Sequence, residues 1–117
     1  MATNSQIAFN PQGNTVVVAA AATAPAGVRA PVNGKFDAQA TGQVRIVNAG
    51  ANTVHLGVGP SAADATANAV AATAGSPAAG IQLVPGAVEV LRFPLGSYFS
   101  GVAAAATTLY ITPGEGI

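Results

Sequence analysis

Apolar and polar positions alternate along this chain in short runs, and glycine and proline break the runs at brief intervals. Residues 54–58 show the pattern most cleanly. Val54, Leu56 and Val58 share one side of an extended segment, and His55 and Gly57 share the other. Residues 43–48 repeat it, with Val44 and Ile46 on one face and Arg45 on the other. A period of two with β-branched residues predicts half-buried strands. The intervening Asn48-Ala-Gly-Ala-Asn-Thr53 is turn-forming, so the two strands are predicted to pair as a hairpin. Residues 15–20 read as another strand, and further strands are predicted at 81–84, 87–93, 97–102 and 107–112. The first third, with Arg29 and Phe36, adds one or two short strands.

Residues 88–93 (Val-Glu-Val-Leu-Arg-Phe) are apolar on both faces. Such a strand is either central in a sandwich or packs a second protein on its outer face. Pro85-Gly86 predicts a turn before it, and Pro94 and Gly96 end it. Pro60–Val70 departs from the strand pattern. It is alanine-rich, Ser61 is placed to cap a short helix, and Asp64 follows at the third helical position. Seven or eight short strands separated by turn signals predict a single all-β domain over residues 1–117. The fold class is an antiparallel β-sandwich, jelly-roll-like, with a short Ala-rich helix or loop near residues 61–72 and residues 1–14 as an extended N-terminal arm. The predicted core comprises Val44, Ile46, Val54, Leu56, Val58, Val90, Phe93 and Tyr110. Because Val90 and Phe93 lie on opposite faces of their strand, one of them is expected to be covered only on assembly.

Composition sharpens this picture. The 117 residues suit one domain. Only 7% are charged, against about 25% in ordinary soluble domains. Half are hydrophobic, but alanine dominates that half, and Trp is absent. The core therefore draws on Val, Ile and Leu with a few rings: Phe9, Phe36, Phe93, Tyr98, Phe99 and Tyr110. Four basic residues (Arg29, Lys35, Arg45, Arg92) balance four acidic ones (Asp37, Asp64, Glu89, Glu115). Scattered in this way they form no run for phosphate backbones or anionic lipid, so neither nucleic acid nor membrane is expected as a partner. A neutral, charge-poor surface favours association, and much of it is expected to be covered in the working state. The chain has no cysteine and no basic residue before Arg29, so no secretion leader with a charged region is expected. Folding in a reducing cytoplasm is expected.

Candidate chemistry is sparse. His55 is the only histidine, and no nucleophile elbow surrounds any serine. One His without Cys cannot supply the usual zinc set. Four carboxylates allow a pair, but none sits beside aromatic residues that would line a sugar subsite. Gly57-Val-Gly59 lacks the third glycine of a phosphate loop, and tight turn geometry is the expected reason for these glycines. No catalytic, cofactor-binding or metal-binding residue is therefore assigned, and no cofactor or enzymatic activity is expected. His55 is read as an outward residue on a strand. The C-terminal Thr112-Pro-Gly-Glu-Gly-Ile117 and strand 88–93 are the candidate contact segments.

The order of Val44-Arg-Ile-Val-Asn-Ala-Gly50, Val54-His-Leu-Gly-Val-Gly-Pro60, Pro85-Gly-Ala-Val-Glu-Val-Leu-Arg-Phe93, Tyr98-Phe-Ser-Gly-Val102 and Leu109-Tyr-Ile-Thr-Pro-Gly-Glu-Gly-Ile117 resembles small virion proteins of tailed bacteriophages, the capsid decoration or cementing proteins. The resemblance spans residues 40–117. It implies a jelly-roll-like fold, a homo-oligomer (dimer or trimer), the major capsid protein as partner and a place on the virion surface after synthesis in the host cytoplasm. It carries no catalytic residues. The competing readings are a phage tail or fibre module with a receptor- or sugar-binding role, and a small jelly-roll enzyme. The first should display clustered exposed aromatics, and the second a His/Glu metal cluster that the sequence lacks.

Overall fold

The computed structural model describes residues 9–11, 14–29 and 42–115. Nine strands and one helix follow in order: β1 (Asn10–Pro11), β2 (Val16–Ala20), β3 (Val28–Arg29), β4 (Gln43–Asn48), β5 (Val54–Gly59), α1 (Ala62–Asn68), β6 (Ile81–Leu83), β7 (Val88–Arg92), β8 (Tyr98–Ala103) and β9 (Thr107–Glu115). They form two antiparallel sheets. Sheet A has the order β2-β9-β4-β7, with β1 also on β9 beyond the end of β2, and sheet B has the order β3-β8-β5-β6.

The pairings β2–β9, β3–β8, β4–β7 and β5–β6 are nested. The chain is thus one long hairpin with β5–β6 at its tip, rolled so that its arms alternate between the two sheets. This is jelly-roll topology, and the predicted fold class is what the structure shows.

The expected hairpin between 43–48 and 54–58 does not form. β4 pairs with β7 and β9, and β5 pairs with β6 and β8. Ala49–Thr53 is an arch that carries the chain from one sheet to the other. Two strands with apolar alternate faces can bury those faces against each other across a core as well as against a third layer, and turn composition does not distinguish the cases. Asn48 shapes the arch. Its Nδ2 donates to the carbonyls of Asn52 and Leu83, each at 2.9 Å, and its Oδ1 accepts from the Gly50 amide at 3.0 Å.

The core lies between the sheets. Sheet A contributes Val18, Ala20, Val44, Ile46, Leu109 and Ile111, and sheet B contributes Val54, Leu56, Leu83, Phe99 and Ala103. Val58, Leu91 and Phe93 pack against it while half-buried, and Phe93 meets Phe99 edge-on at 5.5 Å between centroids. Val90 is half-buried too, on the outer face.

Tyr110, expected in the core, is 42% exposed. Leu109 and Ile111 take the inward parity of β9, and a strand turns successive side chains to opposite faces, so Tyr110 is directed outward. β7 is an edge strand, which removes the central-strand reading of 88–93. Phe36 lies outside the described residues, as does most of the expected N-terminal arm, of which Asn10–Pro11 pairs with β9.

The turn expected at Pro85-Gly86 closes with the Ala87 amide on the Val84 carbonyl at 3.0 Å, and Gly86 takes φ +80°. That is a type II turn, with proline at its second position and glycine where φ must be positive.

Candidate interaction face

Local sequence gives the two outer sheet faces opposite fates. On sheet B the outward side of β5 is His55, Gly57 and Gly59, and α1 lies across it. A Cβ on Gly57 would come within 2.2 Å of the Ala65 carbonyl oxygen, and one on Gly59 within 2.6 Å of the Asp64 Cβ. These glycines therefore admit a helix backbone against a strand. The expected tight-turn role is not what they serve, since neither has positive φ.

Ser61 caps α1, its Oγ accepting from the Asp64 amide at 3.2 Å, as the sequence predicts. Thr66 Oγ1 and Ser100 Oγ both donate to the Pro25 carbonyl, at 2.8 and 2.7 Å, and tie helix, strand β8 and the segment before β3 together. Asn68 Nδ2 donates to the Val58 carbonyl at 2.8 Å, beyond the point where β6 ceases to pair with β5. Ala65 and Ala69 are buried in this seam.

On sheet A no described element covers the outer face. One row crosses it through register partners Val17, Tyr110, Val47 and Val88. The next row holds Thr112, Arg45 and Val90, and Thr15 Oγ1 lies 2.7 Å from Thr112 Oγ1. Among the described residues the exposed large apolar side chains are Val17, Val70, Val84, Val88, Leu95 and Tyr110, so three of six stand in the single row. A contiguous exposed apolar row marks a candidate interaction surface.

The candidate segments separate. Val88 and Val90 of strand 88–93 belong to this face, whereas Leu91 and Phe93 belong to the core. In the C-terminal segment β9 runs three residues past the predicted 107–112, to Glu115, with Pro113 and Gly114 buried and paired to Val44 and Gln43 on one side and, at Gly114 and Glu115, to β1 on the other. Sheet pairing can run through proline where the ladder does not use its missing donor. Gly116 and Ile117 lie outside the described residues. Sequence reasoning missed Val17, Val47 and Tyr110 as one surface, because the register that aligns them joins residues from three separate strands.

His55 is half-buried on the outer side of sheet B. It borders an open groove of about 450 Å³ lined also by Asn52, Thr53, Ala71, Val102, Ala103 and Ala104. Among the described residues no acidic side chain borders the groove. Among the described residues no group of three or more His, Cys, Asp or Glu side chains is placed to hold a metal ion, and no helix is long and apolar enough to cross a membrane. Compared with known proteins, the chain matches no family model, no curated protein and no solved structure.

Proposed function

We propose that this chain is a non-enzymatic structural protein of a tailed-phage virion, a capsid decoration or cement protein that binds the outer shell and stabilises it. The carrying observation is the asymmetry of the two outer faces: sheet B is covered by the chain's own helix, and sheet A presents a row of Val17, Tyr110, Val47 and Val88 that no described element covers. The scarcity of charge and the resemblance over residues 40–117 support the same reading. The partner is the major capsid protein, and the chain works as a homo-oligomer, whose repeated contacts over a symmetric shell add avidity to a modest single contact.

Purified protein mixed with undecorated capsids, assembled from the major capsid protein of the same genome, should co-sediment with them. Cryo-microscopy should place it on the outer shell. Absence of binding, or density on the tail alone, would reject the proposal.

A further inference from the structure

Among the described residues, the charged side chains on the outer face of sheet A are of one sign. Arg45 stands beside Thr112 and Val90, and Arg92 stands beside Gln43 in the neighbouring row, so the two arginines are diagonal neighbours on β4 and β7. Diagonal Cβ atoms on adjacent strands are about 7–8 Å apart. Both side chains are exposed, and among the described residues no carboxylate pairs with either. Glu89 has the parity of Ile46, its register partner on the core side, and Asp64 is on α1 over the other sheet. Two like charges are thus held together at the border of an apolar row, and among the described side chains none supplies a counter-charge on their face.

We propose, resting on the assembly reading above, that this face docks a protein surface of apolar side chains flanked by carboxylates, with the carboxylates meeting Arg45 and Arg92 while the partner's apolar groups cover Val17, Tyr110, Val47 and Val88. Arginine forks suit bidentate carboxylates, and a partner of that kind removes the repulsion between the two guanidinium groups. A second copy docked face to face would offer neither arginine a described carboxylate, so the same charge pattern disfavours it. Two cations are too few for a phosphate backbone, whose binders neutralise several phosphates. Self-association of this chain therefore uses another surface, and sheet A faces the capsid.

The test measures binding of full-length variants to the undecorated capsids. Arg45→Glu and Arg92→Glu should each weaken binding at least tenfold, Arg45→Lys should fall between the parent and Arg45→Glu because lysine keeps the charge but not the fork, and Val88→Lys should weaken binding as much as the glutamate variants. Gln82→Glu and Ala63→Glu, on the sheet B side, should bind as the parent does. Circular dichroism and the thermal unfolding midpoint should stay unchanged in all of them, because every altered side chain is exposed. If the parent binds and the sheet A variants bind equally well, the assignment of this face is wrong while the capsid reading survives. If the sheet B variants are the ones that lose binding, the opposite face docks. Failure of the parent itself to bind rejects the capsid reading and this inference together.

Discussion

Single residues decide how closely the layers approach. Gly57 is the sharpest case, because the helix backbone occupies the space where its Cβ would be. Gly57→Val is expected to destabilise the fold by about 3 kcal/mol, at the upper end of overpacking costs, by lifting α1 from the sheet. Denaturant unfolding would measure it, and a loss below about 0.5 kcal/mol would show that the helix is not held there.

Asn48 is the second case. It is 1% exposed and satisfies two carbonyls and one amide. Asn48→Ala should cost about 2–3 kcal/mol, as lost hydrogen bonds leave buried polar groups unpaired. Asn48→Asp should cost more, because a carboxylate would replace the amide donor against two carbonyl oxygens. Equal stability of the two variants would contradict that geometry. His55 lies on the helix-covered side of the molecule, in a groove with no acidic neighbour among the described residues. His55→Ala should leave folding and capsid binding nearly unchanged, and a loss of bound metal or of hydrolytic activity in that variant would contradict the structural reading.

At the scale of elements, alternation located the strands well and their partners poorly. Seven of the strands, β2 and β4 through β9, coincide with the predicted runs, most clearly where apolar and polar positions alternate, because a half-buried strand shows a period of two. Between β4 and β5, glycine and asparagine permit a hairpin as readily as the arch that forms. β7 illustrates a second limit. Its two apolar faces fit a central strand, yet it lies at an edge, with Glu89 toward the inner side and Arg92 on the outer face. Charges at such positions blunt edge-to-edge pairing. The cap of α1 is separable from its docking. Ser61→Ala is expected to cost ~1 kcal/mol by leaving the Asp64 amide without its acceptor, measured by thermal unfolding against the parent.

For the whole molecule, the question is what holds it to a partner. The chain has eight formally charged Asp, Glu, Lys and Arg residues, balanced in sign. Exposed charge pairs are typically worth under about 1 kcal/mol and are screened within about 10 Å at 0.1 M salt. Apolar burial contributes about 25 cal/mol per Å² before the costs of association. Binding to undecorated capsids should therefore change only weakly between low and high sodium chloride, even with Arg45 and Arg92 at the contact. A fall of orders of magnitude with rising salt would show a charge-driven contact instead. A parent far-ultraviolet circular dichroism spectrum dominated by helix would contradict the sandwich itself.

The sequence by itself determined the strand-rich fold class, the inward set Val44, Ile46, Val54 and Leu56, the turn at Pro85-Gly86 and the cap at Ser61. Each of these rests on residues within a few positions of one another, where backbone geometry translates directly into a pattern. Tertiary structure decided which strands pair, that Tyr110 is directed outward, that Gly57 and Gly59 receive a helix, and that Thr112–Glu115 completes a sheet. It also aligned Val17, Tyr110, Val47 and Val88, which are spread over most of the chain, into one row. Register between distant strands is set by the burial of both sheets at once, and no local segment contains that information.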